Sequence, residues 1–190
     1  MKSLAPEVLR FWFGEGSDHG KVHKRWFEKN PAFDALVTER YQPLHQAMLE
    51  GKYREWLNQP HDCLARIVVL DQFPRHLYRG RAESFSSDAL ALAAAKHLVA
   101  NGWDATMLPV ERMFAYLPYQ HSESIEEQDR ALDLYRALKG FPETADTERY
   151  AIAHHDIIRR FGRFPHRNAA LGRRSTPEEI EFLKTPGSSF

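Results

Sequence analysis

Residues 88–102 read DALALAAAKHLVANG, and this stretch decides the fold class. Ala and Leu are strong helix formers, and Asp88 stands where a first turn favours an acid. Ser86 or Ser87 serves as the cap, and Gly102 fits the stop of a helix over Asp88 to Asn101. The same bias runs through the whole chain, with 21 Ala and 19 Leu against 19 Val, Ile and Thr together. No segment alternates strictly, and no Asn-Gly or Asp-Gly hairpin signal occurs. The reading is all-α.

Punctuation elsewhere marks further helices. Ser3 precedes a first helix with Val8, Leu9, Phe11 and Trp12, and Gly14, Gly16 and Gly20 make the following loop. Asn30-Pro31 is a cap with proline at the first helical position. Phe33, Leu36, Val37, Tyr41 and Leu44 follow at helical spacing. Pro60 starts a helix expected to end before Pro74, and Pro109 starts a short one ending near Pro118. Ser124 and Glu127 have capping-box spacing ahead of a helix closed by Gly140. A helix from about Thr144 to Phe161 stops at Gly162. Thr176, Pro177 and Glu179 open a short last one. Seven or eight helices with short connections pack as antiparallel pairs. Residues 1–185 read as one domain, and 186–190 as a loose tail.

The chain has 190 residues, with 26 Lys plus Arg against 26 Asp plus Glu, a formal net charge of zero. That balance speaks against nucleic acid or an anionic membrane as partner. A 12% aromatic content speaks against disorder. A chain this long buries roughly 70% of its unfolded surface. Cys63 is the single cysteine, which excludes an internal disulfide and a multi-cysteine zinc site. It fits a small buried hydrophobe in a reducing, cytoplasmic setting. The first residues lack the pattern of a signal peptide, and the apolar run 89–98 holds Lys96 and is too short to span a bilayer.

The balanced total conceals unlike segments. Arginine outnumbers lysine 18 to 8, and there are 10 histidines. Leu70 to His76 reads LDQFPRH and Phe161 to Asn168 reads FGRFPHRN. Each is an apolar helix end, then Phe-Pro, then an Arg/His pair: Arg75 with His76, His166 with Arg167. A third corner, LPYQHSE at 117–123, sets His121 three residues after Pro118. Proline cannot continue a helix, and its aromatic neighbour anchors the corner. Such corners either cap free carbonyls or present polar groups to a common site.

Residues 159–174 carry Arg159, Arg160, Arg163, Arg167, Arg173 and Arg174 with no acid, interrupted by Phe161, Phe164, Pro165 and Leu171. Arginine interleaved with apolar anchors suits phosphate or carboxylate. The competing account is internal pairing with the acidic residues of 123–148. His154 lies on an apolar helix face, where a hydrogen-bonded core histidine is the ordinary role. With His121 or His166 nearby it would join an acid–base group. No metal-ligand spacing, phosphate loop or nucleophile elbow is present, and Gly14, Gly16 and Gly20 have the wrong spacing for a dinucleotide loop. The four tryptophans read as core.

The segments VLRFWFG, LDQFPRH, LPYQHSE and FGRFPHRNAALGR together resemble the bacterial domain-of-unknown-function family nine hundred twenty-four over nearly the whole chain. The resemblance implies an all-α, tetratricopeptide-like superhelix, which no repeat period in the sequence discloses, and it implies no established activity. The family pattern matches at Asp71, Arg75, His76, His121, Glu123, His154, Arg163, His166, Arg167 and Asn168. Two functions remain open. In the first, a pocket binds a small anionic ligand through Arg75, His76, Glu123, Arg163, Arg167 and Asn168. There His121, His154, His166 and Asp71 are the candidates for chemistry. In the second, a helical surface binds a peptide or protein without catalysis. The first requires Arg75, His76, His121, His154, Arg163 and His166 to face one cavity. The sequence leaves both the cofactor and the oligomeric state open.

Overall fold

The computed structural model describes residues 3–189. All regular structure among them is helical: α1 (Ala5–Phe13), α2 (Pro31–Leu49), α3 (Pro60–Ile67), α4 (Phe73–Leu77), α5 (Asp88–Ala100), α6 (Pro109–Gln120), α7 (Ile125–Arg136), α8 (Thr147–Phe161) and α9 (Pro177–Phe182). A π turn at Val68–Gln72 joins α3 to α4, so residues 60–77 are one continuous helix and the helices number eight.

The continuity of 60–77 corrects the expectation that the helix ends before Pro74. Phe73 N–H donates to the Val68 carbonyl, the five-residue step of a π turn. Pro74 has no N–H to offer, so the Leu70 carbonyl four residues back needs another donor. Ser87 Oγ supplies it at 2.6 Å, and the Arg75 guanidinium donates to the Asp71 carbonyl. Substitute donors for the freed carbonyls let the chain stay helical through the proline. Ser87 in turn accepts from His45 Nε2 at 3.0 Å rather than capping α5. Pro118 is likewise carried inside α6, which runs on to Gln120.

Several expected signals act as read. Asn30 Oδ1 accepts from Phe33 N at 3.1 Å. Gly162 ends α8 in the left-handed region at φ 68°. Thr176 and Glu179 form their capping box. Others do not. Ser124 bonds Glu126 instead of capping α7, which ends at Arg136 rather than Gly140. Thr144 Oγ1 donates to the Leu138 carbonyl at 3.0 Å, so α8 begins only at Thr147. In the expected tail, Ser188 Oγ donates to the Leu183 carbonyl at 3.2 Å.

The core centres on α1, α3 and α6. Trp12 sits among Trp26, Phe73 and Phe114 with ring centroids 5.5–6.0 Å apart, mostly edge-on. The whole run from Cys63 to Gln72 is buried, which pins the π turn in the middle of the molecule. Neighbours in sequence pack together, α6 on α7 and α7 on α8. A small satellite cluster of Ile157, Ile158 and Phe164, with Phe161 and Phe182 against it, seats the C-terminal segment.

Candidate functional site

The π turn sets Asp71 at the centre of a polar cluster inside the helical stack. Asp71 is fully buried and faces His121, the residue that caps the C-terminal end of α6. His121 Nδ1 donates to Asp71 Oδ1 at 2.7 Å, and the Gln72 amide donates to Oδ2. Arg75 Nη1 stands 3.6 Å from Oδ1. Burial works to raise the Asp71 carboxyl, but His121, Arg75 and these hydrogen bonds outweigh it and hold it low. The carboxylate therefore stays charged. Burial and the Arg75 charge push His121 below its ordinary value despite Asp71. At neutral pH His121 is the neutral tautomer with its proton on Nδ1. Its Nε2 makes no hydrogen bond among the described residues, and the side chain is 13% exposed. A buried carboxylate orienting a histidine that presents a free lone pair is the arrangement of a general base.

Two guanidiniums lie beside this pair and share one carboxylate. Arg75 grips Asp88 with both Nη atoms, at 3.0 and 3.2 Å. Arg167 Nη1 reaches the same Asp88 at 3.2 Å, and its Nη2 donates to the His121 carbonyl at 3.0 Å. The Arg167 guanidinium lies 4.6 Å from the ring centroids of both Phe85 and Phe164. Its Nε is buried with no partner. Burial first, then repulsion from Arg75, lower Arg167 to about 10. That is a cation short of negative charge.

His154 and His166 complete the cluster. The His154 ring is 6.2 Å from that of His121. His154 Nδ1 donates to the Tyr150 carbonyl at 2.7 Å, and the Gln120 amide nitrogen lies 3.5 Å from Nε2. Burial drops it to about 3, so it is a neutral core residue. His166 is brought down to about 4 by burial and by Arg167, His121 and Arg75.

The remaining candidates lie apart. His76 turns to α2, with Nδ1 2.7 Å from Asp34 and its ring 5.2 Å from Phe33. Arg163 forks onto Glu179 at 2.7 and 2.8 Å. Asn168 joins them, donating to Ser175 and Glu179. Glu123 accepts from Phe164 N at 2.8 Å and from Arg173 at 2.7 and 3.0 Å. Arg163 and Asn168 fasten residues 163–168 to α9, Glu123 fastens them to the turn between α6 and α7, and Arg163 and Arg173 are internally paired. Of the six residues expected to face one cavity, Arg75, His121, His154 and His166 lie near one another together with Asp71 and Arg167, whereas His76 and Arg163 are engaged elsewhere. Two clefts, of about 440 and 400 Å³, open elsewhere on the surface.

Sequence reading missed Asp88, Gln72, Gln120 and Phe85. Asp88 was read as the first residue of a helix, and it is that, but the same carboxylate also joins both arginines. Arginine in excess of lysine amid equal acids was the one available signal that acids would be shared this way.

A buried helical stack around one Asp–His pair and two arginines on a shared carboxylate defines the class. The chain belongs to a family of bacterial proteins of unknown function (DUF924), whose model matches residues 8–187. It is similar to the solved structure of a protein of unknown function from Agrobacterium tumefaciens, with 38% identity and a TM-score of 0.84 over 95% of this chain and 97% of that one. No curated protein matches. Among the described residues, no helix is long and apolar enough to cross a membrane.

Proposed function

We propose that the protein binds a small carboxylate- or phosphate-bearing molecule beside His121, with Arg75 and Arg167 supplying charge and His121 Nε2 accepting a proton. One observation carries this reading. Arg167 is a buried, aromatic-flanked guanidinium that shares its single carboxylate partner with a second arginine. An added anion relieves that imbalance, and planar two-point contact with such a group is what arginine does best. The same anion raises the basicity of His121, so binding prepares the proton acceptor. Chemistry follows where the ligand carries an acidic proton within reach of Nε2; otherwise the site binds only.

The test is thermal stability of the full chain with inorganic phosphate, pyrophosphate and malonate, against sodium chloride at equal ionic strength. One anion is expected to raise the melting temperature of the native protein and not of Arg167→Lys, which keeps the charge and loses the fork. Equal shifts with chloride, or equal shifts in the variant, sink the idea. The competing reading, a docking surface for a peptide or protein, predicts a stoichiometric partner in a pulldown and no specific anion effect.

A further inference from the structure

The larger of the two clefts, about 440 Å³, has no residue of the Asp71 cluster in its lining and falls within the roughly 300–1,000 Å³ of small-molecule sites. Met48 and Leu49 at the end of α2 and Leu90 and Ala93 on α5 form an apolar wall. Leu49 and Leu90 are 37% and 40% exposed and so present apolar surface to the cleft. Arg54 and Arg66 close one end.

These two arginines differ from those of the candidate site. Arg66 is 6% exposed, and only its Nη1 is engaged, donating to the carbonyls of Lys52 at 3.4 Å and Tyr53 at 3.2 Å. Tyr53 is the one non-glycine residue at positive φ among the described residues (59°), and Gly51 before it stands at φ 83°. That strained loop aims both carbonyls at Arg66 and fixes its guanidinium. Neither Arg54 nor Arg66 has an ion-pair partner among the described residues. Burial lowers Arg66; Cys63 opposes it, and Arg54 adds a smaller push downward and Glu55 a smaller one upward. A held guanidinium with a second cation beside it, at the end of an apolar trough, matches a molecule with one anionic end.

We propose that this cleft binds a small amphiphile, its carboxylate head between Arg54 and Arg66 and its unbranched apolar body along Leu49, Leu90 and Ala93, above the buried Met48. The head is recognised by fork geometry and charge, and the body by area removed from water.

Methyl NMR of the full chain tests this with sodium octanoate, using 1-octanol and sodium acetate as the tail and the head alone. Octanoate is expected to shift the Met48, Leu49 and Leu90 methyl signals saturably. Arg54→Gln should weaken it about tenfold, the loss of roughly 1.4 kcal/mol. Ala93→Trp should abolish it by filling the trough. Both positions are exposed, so circular dichroism should show native helix content in each variant. The proposal is overturned by equal shifts with octanol, by equal shifts with acetate, by unchanged affinity in Arg54→Gln, or by binding that survives Ala93→Trp.

Discussion

LDQFPRH at 70–76 and FGRFPHRN at 161–168 share a Phe-Pro step and an Arg/His pair, yet they take opposite paths. In the first the helix runs straight through the proline by way of a π turn. In the second the helix has already ended at Gly162, and Pro165 opens a single 3-10 turn. The residues before the aromatic make the difference. Asp71 and Gln72 remain helical, whereas glycine enters the left-handed region without penalty. Each path also has its own donors and acceptors. Ser87 and Arg75 satisfy the carbonyls freed in the first corner. Glu123 and Arg173 take the N–H and carbonyl of Phe164 in the second. A helix thus runs on through a proline where the carbonyl it strands finds another donor, as Leu70 finds Ser87.

The sharpest way to break this contrast is Asp71→Asn. It removes the charge that both His121 and Arg75 face in a buried setting. A loss of about 3 kcal/mol in urea denaturation is expected, within the range for breaking a buried pair. A loss below about 1 kcal/mol would mean the π turn stands without its carboxylate.

Acid comes next. His154 is lowered to about 3, and His45 and His166 to about 4, each mainly by burial. Their folded values lie below the unfolded value near 6.5, so the unfolded chain binds more protons between. Stability therefore rises with pH from about 4 to 6.5 and is lost as pH falls through that window. Each group contributes up to about 1.4 kcal/mol per pH unit. Urea midpoints at pH 7 and pH 5 should show the fall, and His154→Gln should flatten the slope by one group's share. An unchanged slope would place the acid sensitivity at the other two histidines.

Gly162→Ala probes the second corner. Forcing a side chain to φ 68° should cost about 1 kcal/mol, measured the same way. No atom lies within 4 Å of where the added carbon would sit, so the cost is conformational, not steric crowding from neighbours. An unaffected variant would mean that α8 can end without its left-handed stop.

The elements legible in the sequence are those fixed locally. The all-α class, the Asn30 cap, the Thr176–Glu179 box and the Gly162 stop each depend on residues within one turn. The site was legible in its residue types and only partly in its geometry. Arg75 and Arg163 each flank a Phe-Pro step, but one meets Asp88 and the other Glu179. Which acid an arginine finds depends on helices tens of residues away, and nothing local records it. The Pro74 helix was misread for the same reason, because Ser87 lies 17 residues from the carbonyl it rescues.

Asp88 ties Arg75 to Arg167, and Arg167 lies 79 residues further along the chain than Asp88 itself. A chain synthesised only through α7 has both Arg75 and Asp88 but lacks Arg167 and Arg173. Glu123 then lacks its arginine, and the Phe85 ring its covering cation. Closing so long a loop is slow and comes late. The His121 site is thus finished only when the last sixth of the chain docks, and a nascent protein holds its helices before it holds its chemistry.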